Sequence, residues 1–203
     1  MRTYGDACGI ARALDVVGDR WALLVIRDLV LGGKRFTDLR AGLPKVSPDV
    51  LAQRLRELED AGLVARRRLP PPAASQIYEL TARGRALEPV LLELGRWGSG
   101  APFPDGDMTF GPDAAMLALK TRFDPAAARD VTATYELRLG EQAFRARVSR
   151  GTLTIERGMA ERPDAIIETD PPTLAAVLWH GEESPDPALK RLRALFPLSS
   201  SSY

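Results

Sequence analysis

Apolar side chains recur at helical spacing through the first half of this chain and alternate with polar ones through much of the second. Leu51, Leu55 and Leu58 mark one helical stripe, and Leu87, Val90, Leu91, Leu94 and Trp97 mark another. The first stripe has clear ends. Ser47 can cap the opening amides, and Pro48 suits the first helical position, where a missing N–H goes unnoticed. Gly62, after Ala61, supplies a left-handed stop. A short helix over Phe36 to Arg40 and the linker Ala41-Gly42-Leu43-Pro44 come before it. Leu63 to Leu69 and Gln76 to Leu80 follow as strands around a tip from Pro70 to Ser75. Thr81 to Trp97 is predicted as one long helix. Further on, Ala133 to Leu139, Phe144 to Val148 and Thr152 to Glu156 alternate as half-buried strands do, with turns at Gly140-Glu141 and Arg150-Gly151. Ala165 to Thr169 adds a strand. Helices are expected near Pro112 to Thr121, from Asp170-Pro171-Pro172 to Trp179, and over Leu189, Leu192, Leu195 and Phe196.

Opposite its leucines, the helix that opens at Pro48 carries Asp49, Gln53, Arg56 and Asp60. A support helix, a short turn and a polar-faced second helix form a helix-turn-helix, and the charged hairpin beside it reads as a wing. This is what a reader of double-stranded DNA needs: one element in the major groove, the other on the backbone. Gln53 and Arg56 are the candidates for base edges, because Gln matches adenine and Arg matches guanine. Ser47 and Arg54 are candidates for phosphate. Arg66, Arg67 and Arg68 would displace counterions, with Arg66 and Arg68 on one side of the strand and Arg67 on the other. Lys34, Arg35 and Lys45 complete the basic cluster. The chain is nearly neutral at +1, yet residues 1–100 carry +4 and the rest −3. The basic excess sits with the proposed reader.

From about Cys8 to Gly98 the chain resembles a winged-helix regulator of the HxlR type, a relative of the MarR group. The resemblance is carried by Cys8-Gly9-Ile10, Gly18-Asp19-Arg20-Trp21 with Leu23-Leu24, and Gly33-Lys34-Arg35-Phe36 with Leu39. It continues through Ser47, Leu51, Arg54-Leu55, Glu57-Leu58-Glu59, Gly62-Leu63-Val64 and Arg66. Tyr78-Glu79-Leu80-Thr81, Gly84, Leu87 and Trp97 complete it. Asp49 departs from the basic or amide residue that the family often has there. The resemblance implies a transcriptional regulator, usually a repressor, whose terminal helices pair two subunits into a homodimer. It also implies a candidate redox sensor in Cys8, since some members use an N-terminal cysteine to sense oxidants; a buried small residue at the dimer interface is the plainer reading.

Turn formers crowd Gly98 to Gly106. They divide the chain into a DNA-binding and dimerisation domain over 1–98, a linker over 99–106, and a second domain over 107–203. The fold class is α+β, with an antiparallel sheet covered on one face by three helices in the second domain. That order is similar to the sterol-carrier-type lipid-binding domain, on the hairpin around Gly140, Gly151-Thr152-Leu153 and Pro163-Asp164-Ala165-Ile166-Ile167-Glu168-Thr169. Leu174 with Leu178, Ala188-Leu189 and Leu192 to Phe196 continue the match. The turn Ser184-Pro185-Asp186-Pro187 departs from the family's usual Gly-Asp. The resemblance implies an apolar small-molecule or lipid-like effector, with Met116, Phe123, Tyr135, Phe144, Trp179 and Phe196 as candidate pocket walls. Each of these can equally be plain core.

An enzyme is not expected. His180 is the sole histidine and sits at a helix end, and Cys8 is the sole cysteine, so no His/Cys metal cluster can be assembled. Neither a Gly-rich phosphate loop nor a Gly-x-Ser-x-Gly elbow occurs, and no cofactor is implied. One cysteine rules out an internal disulfide. Asp6, Arg12 and Asp15 interrupt any signal-peptide core, and no apolar run approaches the roughly 20 residues that cross a bilayer. A cytoplasmic protein without membrane attachment is expected. The alternative function is a lipid-binding or carrier protein whose winged helix serves protein contacts, or a thiol redox sensor acting through Cys8.

Overall fold

The computed structural model describes residues 3–71, 74–99 and 111–196. The predicted linker over 99–106, apart from Ser99, lies outside the described residues. The chain divides into two compact units, Met1–Leu91 and Leu92–Tyr203.

In the first unit α1 (Gly9–Val17), α2 (Ala22–Leu29), α3 (Phe36–Gly42) and α4 (Pro48–Asp60) lead into an antiparallel hairpin of β1 (Val64–Arg68) and β2 (Gln76–Leu80). The helix α5 (Ala82–Arg85) and the start of α6 (Glu88–Gly98) follow. The ends of α4 are local chemistry. The Val50 amide donates to Ser47 Oγ at 3.4 Å, Pro48 opens the first turn, and Gly62 takes φ +68° just past the last one. Leu51, Leu55 and Leu58 are at most 1% exposed, and α4 packs on α2, which buries Val25, Ile26 and Leu29. Burying each such side chain contributes about 1.5–3 kcal/mol. That packing fixes which face of α4 is left to solvent.

The single helix predicted over 81–97 is two helices. Ala86 and Leu87 turn between α5 and α6, with the Leu87 amide donating to Gly84 O at 3.1 Å. Pro89 explains the break. Its nitrogen cannot donate back along a continuous helix and its ring crowds the preceding turn, but it fits the first turn of a new one.

The second unit adds α7 (Pro112–Arg122), β3 (Thr132–Leu139), β4 (Gln142–Ser149), β5 (Thr152–Arg157), β6 (Ala165–Thr169), α8 (Pro171–Trp179) and α9 (Pro187–Arg193). The strands are ordered β5-β4-β3-β6. The expected antiparallel sheet is in fact mixed, because β6 pairs parallel to β3 from Tyr135↔Ala165 to Leu139↔Thr169. The register gives the reason. β5 ends at Arg157, level with Leu137 through Phe144, and β6 begins level with Tyr135. Residues 158–164 therefore need only cross two strands to rejoin the sheet in the same direction.

The crossing is pinned at both ends and the middle. The Gly158 amide donates to Ala143 O, the Ala160 amide to Glu136 Oε2 and the Asp164 amide to Thr134 O, all at 2.8 Å. Glu136 belongs to the polar face by alternation, yet it is 1% exposed. The Ala160 amide, and then Arg138 at 2.6 Å, hold its carboxyl below the ordinary value. The other face is apolar, with Tyr135, Leu137, Leu139, Phe144, Val148 and Ile167 buried. α7 packs on β5, α9 on β6, and α8 on both helices. Arg157 ties β5 to the first turn of α7 through the buried Asp113.

Candidate nucleic-acid interface

The exposed side of α4 follows from its buried side. Ser47, Gln53 and Arg56 are exposed, and Lys45 is exposed just ahead of the cap. Three residues separate α4 from the wing, and the antiparallel register places Arg66 opposite Tyr78 and Arg68 opposite Gln76. Arg66 Nε lies 2.8 Å from Glu59 Oε1, and its guanidinium carbon 5.4 Å from the Tyr78 ring centre. The hydrogen bond to Glu59 holds the Arg66 pKa above its ordinary value. This pair joins the wing to α4. Arg67 pairs instead with Glu79 at 3.0 Å, and Arg68 is exposed at the outer end of β1. Arg35 Nε donates to Ser75 Oγ at 3.1 Å, which ties the tip of the hairpin to the start of α3.

Two of the predicted DNA-binding residues are engaged within the fold. Lys34 is 5% exposed, with Nζ 3.6 Å from the buried Asp28 carboxylate, and its backbone bridges to Tyr78. Its ammonium faces a buried carboxylate instead of solvent, and the residue joins the wing to α2. Arg54 is largely covered, and its Nη1 lies 2.5 Å from both Asp19 Oδ2 and Glu57 Oε2. It clamps α4 to the turn before α2. Within that turn Trp21 takes φ +79° beneath the Arg20 guanidinium, 5.2 Å from the ring centre. A left-handed backbone is strained in a tryptophan.

The sequence reading missed the carboxylates. Asp19, Glu57, Glu59 and Glu79 each hold an arginine assigned to DNA. Glu57 was findable, since it stands three residues after Arg54 and four after Gln53 on one helix. Asp19 was not, being 35 residues from Arg54.

The matched segment of the chain covers most of this unit. The family description HxlR-like helix-turn-helix matches residues 16–102. YvaP of Bacillus subtilis (strain 168), described as an uncharacterized HTH-type transcriptional regulator, is 40% identical over 86 residues, which are 42% of this chain and 80% of that protein. The chain belongs to the HxlR-like family. It is a helix-turn-helix transcriptional regulator. YodB of the same bacterium, also named as an HTH-type transcriptional regulator, is 40% identical over 85 residues, 42% of this chain and 76% of YodB. The solved reduced form of YodB aligns with 50% of this chain and 100% of its own, at 35% identity and a TM-score of 0.43.

Elsewhere in this HxlR-like chain, Cys8 is exposed at the N-cap of α1, and its amide donates to Asp6 Oδ1 at 2.8 Å. On α6, Leu91 is buried while Val90, Leu94 and Trp97 are exposed, Trp97 at 81%. In the second unit the six candidate pocket walls divide. Met116, Tyr135, Phe144 and Phe196 are buried. Phe123 and Trp179 are half-buried, and the Phe123 and Phe196 rings meet edge to face at 5.9 Å. Phe144 lies under the Arg157 guanidinium, 4.9 Å from its ring centre. Burial also raises the Tyr135 hydroxyl above its ordinary pKa. Among the described residues, no helix is long and apolar enough to cross a membrane.

Proposed function

We propose that this regulator binds operator DNA as a homodimer, with α4 in the major groove and the β1–β2 wing on the adjoining backbone. One observation carries the reading: Gln53 and Arg56 are exposed on α4, and the Arg66–Glu59 pair holds a wing with three successive arginines beside it. Val90, Leu94 and Trp97, exposed at i, i+4 and i+7 of α6, supply the stripe for pairing two subunits. Two-fold pairing would set the α4 helices about 34–36 Å apart, one turn of duplex. Occupying an operator makes repression the default output, in the cytoplasm.

The second unit is read as the sensor, a sterol-carrier-like module for an apolar or lipid-like effector, since its helices cover an apolar sheet face that carries Tyr135 and Phe144. Because most of the proposed walls are buried, the effector would enter by parting Phe123 and Trp179, the half-buried members. The exposure of Cys8 favours a second reading, in which an oxidant acts on the first unit directly.

A gel-shift titration with the duplex upstream of the protein's own gene tests the main reading. Sequence-specific retardation is expected, with log affinity falling linearly against log salt by about 0.9 per phosphate contact. No retardation at low salt would leave the winged helix to protein contacts.

A further inference from the structure

On α4 three side chains form a directed chain. Arg56 Nη2 donates to Gln53 Oε1 at 2.7 Å, and Gln53 Nε2 donates to Glu57 Oε1 at 2.7 Å. Arg54 and, through it, Asp19 hold the far oxygen of Glu57. The amide can face only one way, because its oxygen meets a donor and its nitrogen an acceptor. The two residues that could read bases are thus unequally free. A glutamine reads adenine by using its oxygen and its nitrogen together. Both of these are already committed, so reading would break two bonds, one of them to a carboxylate. An arginine reads guanine with two of its five N–H groups, and Arg56 has given up one.

Resting on the proposed operator-binding reading, we infer that Arg56 is the specificity-determining residue of α4, selecting a guanine in each half-site, and that Gln53 is a positioning residue that orients the Arg56 guanidinium instead of reading adenine. The Glu57–Arg54–Asp19 clamp anchors Gln53 in turn, so the reading group is set by the body of the domain before DNA arrives. Pre-orientation of this kind lowers the ordering that binding requires.

The test is selection from a random-sequence duplex library with the full-length protein and its Arg56→Ala, Gln53→Ala and doubly substituted variants, followed by titration of single-base operator variants. Both residues are exposed, and equal melting temperatures will show that each variant is folded. Arg56→Ala is expected to abolish the guanine preference at one position per half-site, a loss of about 5- to 150-fold in discrimination. Gln53→Ala should weaken the same preference, by about 3- to 10-fold, and change no other position. The double variant should match Arg56→Ala, since residues acting as a unit are not additive. The inference is overturned if Gln53→Ala erases an adenine preference at a different position and spares the guanine. It also fails if the wild-type protein binds all sequences equally in a salt-dependent manner, which makes α4 a backbone clamp. Absence of any DNA binding is distinct from both outcomes and removes the underlying reading with it.

Discussion

The Asp28 carboxylate sits between Arg27, at 2.7 Å, and the Lys34 ammonium, at 3.6 Å, with its own side chain 2% exposed. Removing one partner of a buried pair leaves a charge without compensation, which is far worse than removing a surface contact. Lys34→Met should therefore lower stability by about 3 kcal/mol, near the small end of the usual range because Arg27 remains. The same variant should leave the slope of DNA affinity against salt unchanged, which a phosphate-contacting lysine would not. Chemical denaturation and a salt titration together check this. Ser47 behaves differently. Ser47→Ala removes an N-cap and is expected to lower stability by about 1 kcal/mol, measured by thermal melting. Its role was legible in the sequence, because a cap is a relation between neighbours three residues apart. The roles of Lys34 and Arg54 were not, because their partners Asp28 and Asp19 come from other elements, and a basic residue reads the same whether it faces phosphate or a buried carboxylate.

At the level of elements, the hydrophobic pattern located α4, the wing and the alternating strands, while backbone topology escaped it. Alternation tells which face a residue takes but is silent on the direction of the neighbouring strand, so the parallel entry of β6 could not be read. Glu136 was obscured for the same reason: it stands on the polar face, yet it is buried, and the Ala160 amide of the crossing donates to its carboxylate. That crossing has a pH signature. Glu136 and the N-cap Asp170, which accepts from the Thr173 amide at 2.8 Å, both have carboxyl pKa values below their ordinary ones in the folded chain. A depressed folded pKa contributes stability that is fully present above the unfolded value and is lost as pH falls through the folded one. The second unit should therefore lose stability on the acid side, below pH 4.5 for Glu136. Glu136→Gln should flatten that acid limb and lower stability at neutral pH, where the carboxylate holds the Ala160 amide. Melting temperature followed from neutral to acid pH, in wild type and variant, measures both effects.

Across the whole molecule, α6 is the element both units share, since the division falls at Leu91–Leu92 within it. Beyond that point the Arg96 Nε donates to Thr121 O at 3.1 Å, at the end of α7, and Gly95 closely approaches the Thr121 side chain. Val90, Leu94 and Trp97, the residues proposed for dimerisation, are exposed along α6. Trp97→Asp with Leu94→Asp should convert the dimer to monomer in analytical ultracentrifugation and weaken operator binding, because two half-sites are then engaged separately. Whether the second unit is needed for that dimer can be argued from the relatives. The 86 residues matched to YvaP make up 42% of this chain and 80% of that protein. Deleting residues 107–203 is therefore expected to leave a dimer that binds the operator, since the deletion removes a hydrogen-bond partner of Arg96 but none of the α4 or wing residues. The two forms should part in their response to an apolar ligand. An effector shifts an equilibrium only by its differential affinity for the two states, commonly about 1–3 kcal/mol. A long-chain fatty acid should shift operator affinity about 5- to 150-fold in the full chain and leave the truncated chain unmoved. If the truncated chain no longer binds the operator, the second unit is a structural part of the dimer. If the full chain is unmoved as well, the sensing function passes to Cys8, and oxidant treatment of wild type and Cys8→Ser becomes the measurement that decides.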